Sequence, residues 1–96
     1  MSGEETDQSI SSDADQLEAF NTLLHAGSIA RSKGADEIAE TFYRAAIEFS
    51  VDNWGPYKWP EAKALLLLSD LYSSQDRHEE SEVLWLLSCR IVRKKG

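Results

Sequence analysis

Apolar residues recur every three to four positions along most of this chain, which is the spacing of one face of an α-helix. Between Ala14 and Lys33 they fall at positions 17, 20, 23, 24, 27 and 30, counting small residues. The same spacing resumes from Asp36 onward, and no segment shows the strict alternation of a β-strand. The pattern therefore predicts an all-α fold.

Three short segments interrupt this spacing and divide the chain into four helices. Gly34 is a helix stop, and the stretch 52–59 contains Asn, Gly and Pro residues that are poor inside helices. Pro60 suits the first turn of a third helix. The polar segment 75–77 is the turn before a fourth helix. We therefore predict two helical hairpins.

Most of the chain's acidity lies in its first 15 residues. They supply −5 of the net charge of −7 and leave −2 for the rest. Residues 1–13 have too few apolar side chains to offset the entropy of ordering, so we predict a disordered acidic tail. The remainder, 14–96, is predicted to be one domain with repeat one at 14–52, a loop at 52–59 and repeat two at 60–95.

The charge balance argues against a nucleic-acid-binding surface, because such surfaces need clustered Lys and Arg. The sequence pI is about 4.7. One basic run is present, made of Arg90, Arg93, Lys94 and Lys95. It either complements the C-terminal end of a helix dipole or binds phosphate or acidic lipid.

Cysteine content and hydropathy give an expectation about location. Cys89 is the single cysteine, so an intrachain disulfide is excluded, and this fits a reducing compartment. The sequence opens without an apolar leader, and its apolar runs fall short of the roughly 20 residues that a membrane helix needs. We therefore expect a cytoplasmic protein without a membrane partner.

The two predicted hairpins also resemble each other. Placing Gly34 opposite Asp76 aligns them with a period of 42 residues, the distance between these two positions. In this alignment, small residues match small ones and aromatic residues match aromatic ones. The matched pairs include Gly27 with Ser69, Ala39 with Ser81, Tyr43 with Trp85, and Ala46 with Ser88. Helical hairpins repeating at such a period indicate a short α-solenoid.

These matched small and aromatic positions resemble the tetratricopeptide repeat (TPR) family, in which small residues let paired helices approach closely. The second hairpin is similar to the 42-residue repeats of the kinesin light chain type. The segments that carry this likeness are Gly55-Pro56 with Pro60, Leu71-Tyr72, 75–82 and 90–95. The resemblance covers roughly residues 20–95 and implies a solenoid that binds proteins.

Two specificities known in that family do not carry over. The light-chain type usually has two asparagines that bond to the backbone of an extended peptide, and here those positions are Leu66 and Leu67. Another subset binds a terminal carboxylate through Lys and Asn, and here the matching positions are Leu24 and Ser28. The resemblance therefore implies protein binding without identifying the ligand.

We predict an adaptor, scaffold or assembly factor that binds a partner peptide or helix in a concave groove. The expected groove residues are Leu24, Ser28, Arg31, Lys63, Leu66, Leu67 and Asp70. Arg31 and Lys63 would favour acidic partners. Leu66 and Leu67 have a second interpretation, in which they pack on the second helix of the first hairpin or on the aromatic loop.

The fourth helix is apolar on nearly all sides, with the run VLWLLSCRIV at 83–92. Each repeat of a solenoid is covered by the next, and about three repeats are usually needed for stability. We therefore predict either a homodimer through this helix or a fragment of a longer array, with a purely structural role as the alternative function. The expected interface residues are Leu84, Leu86, Leu87 and Ile91.

Catalytic patterns are not apparent in the sequence. His25 and His78 are the two histidines, and nothing pairs with Cys89 as a base would in covalent catalysis. His78, Glu79 and Glu82 have a helical spacing that suits weak metal binding, but the spacing is common by chance. We predict no enzyme, no cofactor and no metal site.

Three aromatic residues crowd the predicted loop, namely Trp54, Tyr57 and Trp59. One interpretation is that they cap the core of the first hairpin. The other is a binding hot spot, since Trp and Tyr are enriched at such sites.

Overall fold

A computed structural model describes residues 13–95, with side chains to Arg93. These residues form four helices, α1 (Asp13–Ser32), α2 (Asp36–Trp54), α3 (Trp59–Ser74) and α4 (His78–Lys95). Residues 13–95 contain no strand, so the predicted all-α class with four helices is confirmed. The predicted disordered tail lies outside the described residues, except for Asp13, which begins α1.

The connection between the hairpins spans 55–58 rather than the predicted 52–59. The prediction placed Asn53 in the loop, but Asn53 lies in the last turn of α2. Its side-chain amide donates a hydrogen bond to the Phe49 carbonyl at 2.9 Å, which satisfies the polar group inside the helix. α2 ends at Trp54. The next residue, Gly55, has a φ of 89°, which is in the left-handed region that favours glycine.

The turns inside the two hairpins have the same backbone hydrogen bonds, and both are Schellman motifs. The two bonds that define the motif in the first turn recur in the second after the predicted period. The bonds, donor first and between 2.9 and 3.1 Å, are Ala35 to Ala30 and Gly34 to Arg31, then Arg77 to Tyr72 and Asp76 to Ser73. The repeat in sequence is therefore also a repeat in backbone structure.

The helices pack in chain order, with α2 between α1 and α3, and α3 between α2 and α4. A main core joins the first hairpin to α3, and a smaller one joins α3 to α4. The main core contains Phe20, Leu24, Ala39, Tyr43, Ala46, Ala64, Leu68, Leu71 and Tyr72, and the smaller one Ala62, Leu65 and Ile91. The described helices thus form a row in which α1 and α4 are the ends.

Each hairpin brings its helices together at small residues, but in a different way. In the first, a Cβ added to Gly27 would lie 2.6 Å from the buried Tyr43 ring. The Tyr43 hydroxyl is hydrogen-bonded to the Ser28 side chain at 3.0 Å. In the second, the Ser69 hydroxyl donates to the Ser81 carbonyl at 2.8 Å. The helix crossing is therefore set by ring packing in one hairpin and by hydroxyl bonding in the other.

A polar cluster around Tyr72 connects α3 to α2. The Tyr72 hydroxyl donates to Glu40 Oε2 at 2.6 Å and accepts from Arg44 at 2.7 Å. The Arg77 guanidinium lies 3.8 Å from the ring centroid. The hydrogen bond from Tyr72, and then the Arg44 and Arg77 charges, hold the pKa of Glu40 below its ordinary value of 4.5. Burial raises the pKa of Tyr72. The hairpins are thus joined by an ionised cluster as well as by apolar packing.

Candidate partner-binding surfaces

The predicted groove residues belong to α1 and α3, which lie on either side of α2 and contact each other through a few side chains. Arg31 Nη1 of α1 donates to Asp70 Oδ2 of α3 at 2.9 Å. The Phe20 and Trp59 rings meet edge to face, with centroids 6.5 Å apart. The sides of α1 and α3 that carry the predicted groove residues therefore adjoin.

Leu24 lies in the main core instead of on the predicted groove surface. Its side chain is 5% exposed and is packed with Phe20 and Tyr43. It follows Phe20 by four positions, so both side chains share the buried face of α1. Leu24 therefore offers no surface to a partner.

Arg31 is also placed differently from its predicted role of attracting acidic partners. Its guanidinium is paired with the Asp70 carboxylate, so the two predicted groove residues neutralise each other. Lys63 is exposed and forms no salt bridge with any described side chain. Among the predicted groove residues, Lys63 is therefore the positive charge without an ion-pair partner among the described side chains.

The two adjacent leucines of α3 are separated by the structure. Leu67 is half-buried and packs against the main core, in line with the packing interpretation. Leu66 points outward and is 42% exposed. The predicted groove is thus reduced to Leu66 with the exposed Ser28 and Lys63, beside the Arg31–Asp70 pair.

Two of the four predicted interface residues of α4 face the protein interior. Ile91 is 3% exposed in the smaller core, and Leu84 packs against both cores. Positions 84, 88 and 91 lie on one side of the helix, and that side rests on α3. Leu86 and Leu87 are exposed, as predicted.

Three further apolar residues of α4 are exposed that the prediction did not include, namely Val83, Trp85 and Val92. The run 83–92 contained the signal, because apolar residues occupy positions outside the 84, 88 and 91 side of the helix. Together with Leu86 and Leu87, these three residues form what we call the α4 surface.

Two of the corresponding positions of α2, Tyr43 and Ser50, are buried, whereas Thr41 and Arg44 are exposed. Trp85 is 50% exposed, whereas its counterpart Tyr43, 42 positions earlier in the alignment of the hairpins, is 1% exposed. Arg44, the counterpart of Leu86, donates a hydrogen bond to Tyr72 of α3. α3 therefore covers a side of α2 that no described helix covers on α4.

A shallow cleft of about 540 Å³ opens on the outer side of α4. It is lined by Leu86, Cys89, Arg90 and Arg93, and the Cys89 thiol is partly exposed. Apolar and basic side chains thus lie together there, which suits an apolar side chain flanked by acidic groups.

The aromatic residues near 55–58 are divided between packing on the core and exposure to solvent. The Trp54 ring lies edge-on to Phe20 at a centroid distance of 5.5 Å, and Trp59 contacts the same ring. These two tryptophans cap the end of the main core, whereas Tyr57 points away and is exposed. Trp54 and Trp59 also line an open cleft of about 380 Å³.

Among residues 13–95, no three His, Cys, Asp or Glu side chains are grouped so as to hold a metal ion. His78 lies 3.6 Å from Asp76, and both side chains are largely exposed. The described part of the chain contains no helix of the length and apolarity that would cross a lipid bilayer.

The chain was compared with protein-family models, with curated proteins and with solved structures, and none of the three comparisons found a match.

Proposed function

We propose that this protein is a TPR-like interaction module, acting as an adaptor, scaffold or assembly factor, whose main contact surface is the α4 surface. One observation carries the proposal. Five apolar side chains of α4 are exposed, and two of them, Trp85 and Val92, have counterparts on α2 that are buried. Several exposed apolar residues on one helix of a domain are typical of protein interfaces.

The repeat geometry supports this proposal. The two Schellman turns have the same hydrogen bonds, and the helices of each hairpin cross at small residues. In repeat proteins each unit is stabilised by the neighbour that covers it. A partner helix would lie on α4 much as α3 lies on α2.

The size of the α4 surface sets a limit on how strongly it can bind. Covering ~300 Å² of apolar surface would contribute about 7.5 kcal/mol at 25 cal/mol per Å². Association costs on the order of 4–15 kcal/mol in lost freedom of motion. Apolar contact alone would therefore give weak binding, and the polar groups around the α4 surface are needed for affinity and specificity.

The groove between α1 and α3 is a second candidate surface because of Leu66. This leucine is 42% exposed while its neighbour Leu67 is packed on the core. With Lys63 beside it, it would suit an acidic peptide that also carries an apolar residue. The groove residues on which this proposal depends are Leu66, Lys63 and Ser28.

Site-specific photo-crosslinking tests both surfaces. A benzoylphenylalanine placed at Leu86 in the full chain should crosslink to a partner polypeptide in cells of the source organism. The same group at Leu66 reports on the groove. Ile38 is an exposed apolar residue of α2 and serves as the matched control, where no specific crosslink is expected.

A crosslink at Leu86 that disappears on Trp85→Glu, while Ile38→Glu leaves it unchanged, would support the α4 surface. Crosslinks at Leu66 alone would indicate that the partner binds in the groove and not on the α4 surface. If positions 85, 86 and 92 all give no more product than Ile38, the α4 surface is not a contact surface.

A further inference from the structure

The outer side of α4 carries charges that are symmetric about one leucine. Two acidic residues precede Leu86 by seven and four positions, and two basic residues follow it by four and seven. At about 100° per residue, all five positions fall within roughly 80° of the helix circumference. All are exposed. We call Glu79, Glu82, Leu86, Arg90 and Arg93 the outer stripe.

The outer stripe lies opposite the side of α4 that packs on α3. Leu84, Ser88 and Ile91 are on that inner side, and at ~100° per residue the stripe is centred about 170° away. A second helix can therefore lie along the stripe without displacing α3.

The charges of the stripe are available for a partner. Glu79, Glu82, Arg90 and Arg93 form no salt bridge with any described side chain, whereas Glu80 is paired with Arg77 at 2.7 Å. Acidic residues early in a helix and basic residues late in it also complement the helix dipole. The dipole does not account for an exposed leucine at the centre of the pattern.

We propose that a second copy of this chain binds here, with the two α4 helices antiparallel and a two-fold axis at Leu86. This arrangement places Glu82 opposite Arg90 of the second copy, and Glu79 opposite Arg93, each twice. The two Leu86 side chains meet at the axis. Parallel pairing would instead put like charges opposite each other, and isologous two-fold dimers are the commonest oligomers.

This inference rests on the proposed interaction role of α4 and identifies the occupant of its outer side. It also supplies the polar contacts that the apolar patch lacks. Four ion pairs around a central leucine resemble the polar rim and apolar centre of specific interfaces. Because the pairs are at the rim, dimerisation is expected to weaken as the salt concentration rises.

Sedimentation velocity of the full chain over a concentration series tests the dimer. The wild-type chain should pass from monomer to dimer, and Leu86→Lys should remain monomeric because two lysines would meet at the axis. Arg90→Glu should raise the dissociation constant at least about tenfold, since it turns two attractive pairs into repulsive ones. Lys58→Glu makes the same change in net charge at an exposed residue away from α4, and should leave the dissociation constant unchanged.

Mixing two variants tests the register independently of any folding defect. Glu82→Arg and Arg90→Glu should each dimerise poorly alone, but together they should form a heterodimer, because both pairs between positions 82 and 90 become attractive. Native mass spectrometry of the mixture measures this. A mixture with no excess of heterodimer would overturn the antiparallel register.

A wild-type chain that stays monomeric at every concentration would overturn the inference altogether. It would leave the proposed function standing if Leu86 still crosslinks to a different polypeptide in cells. A dimer that survives Leu86→Lys and Arg90→Glu would place the self-contact elsewhere, and would equally overturn it.

Discussion

The second helices of the two hairpins, α2 and α4, have the same place in the repeat but different surroundings. α2 lies between α1 and α3, whereas α4 packs on α3 at the end of the described row. Tyr43 of α2 is buried and its counterpart Trp85 is half exposed. A shared backbone plan therefore does not give the two helices the same exposure.

The polarity of the matched side chains also differs between the two helices. Because no described helix covers α4 as α3 covers α2, polar side chains would be expected on α4, but its side chains are the more apolar ones. On α2 the matched positions include two polar residues, Arg44, which is exposed, and Ser50, which is buried. Their counterparts on the less covered helix are Leu86 and Val92, which are both exposed. A helix that becomes more apolar where the described residues leave it exposed is typical of a helix covered by another molecule.

Truncating the two matched aromatic residues should give the largest difference between these helices. Tyr43→Ala removes a fully buried ring and should lower the free energy of unfolding by about 3–5 kcal/mol. Trp85→Ala removes a ring that is half in solvent and should cost less than about 1 kcal/mol. Urea denaturation of both variants measures the two values.

These measurements should be made in a Leu86→Lys background, so that self-association does not contribute to stability. A cost for Trp85→Ala that approaches the cost for Tyr43→Ala would show that α4 is covered within the chain. The inferred difference in coverage between α2 and α4 would then be wrong.

The next largest effect is expected where the two helices of the first hairpin cross, because that crossing should not tolerate added volume. Gly27→Ala places a methyl group against the buried Tyr43 ring and should destabilise the protein by about 1–3 kcal/mol. In a Tyr43→Leu background the penalty should shrink, because the ring that blocks the methyl group is gone. Thermal unfolding followed by circular dichroism measures both. An equal penalty in the two backgrounds would argue against ring packing as the reason for this glycine.

Much of the fold could be predicted because local rules determine it. Gly34 and the segment 75–77 end their helices by turn chemistry, and the spacing of apolar residues gave four helices. The error at 52–59 arose because Asn53 bonds to its own helix, which is a detail of one side-chain conformation. Residue type alone does not specify that conformation.

The candidate surfaces were predicted less well, because exposure depends on which neighbour reaches a given side. Leu24 and Ile91 were assigned to surfaces and lie in the two cores. The pairing of Arg31 with Asp70 joins residues far apart in sequence, so local patterns carry no sign of it. The 42-residue alignment predicts a buried Trp85, because its counterpart Tyr43 lies at a predicted helix crossing, so the repeat gives no sign that Trp85 is exposed.

The matched carboxylates, Glu40 of α2 and Glu82 of α4, should differ in how they affect stability at acid pH. The lowered pKa of Glu40 means that its ionised form stabilises the fold above its ordinary pKa of 4.5. This stabilisation is lost as the pH falls through the lowered value. Glu40→Gln should cost about 1 kcal/mol at neutral pH and flatten the loss of stability on acidification.

The counterpart change, Glu82→Gln, affects an exposed carboxylate that has no ion-pair partner among the described side chains. Measured in the Leu86→Lys background, it should leave stability unchanged at both neutral and acid pH. If the two variants gave equal pH profiles, the Tyr72 cluster would not be the source of the acid sensitivity.

Substitutions in the two Schellman turns should change the stability of the protein least. Gly34 and Asp76 occupy the same position of the Schellman motif, with φ of 79° and 62°. Glycine adopts this conformation at little cost, whereas aspartate is strained by its Cβ. Asp76→Gly should therefore stabilise the protein by about 0.5–1 kcal/mol and raise Tm by a few degrees.

Gly34→Ala should destabilise the protein by a similar amount, because the site is open and only the backbone conformation opposes the methyl group. Differential scanning calorimetry resolves both shifts. A fall in Tm for Asp76→Gly would mean that the aspartate side chain stabilises the second turn in a way that the first turn does not need.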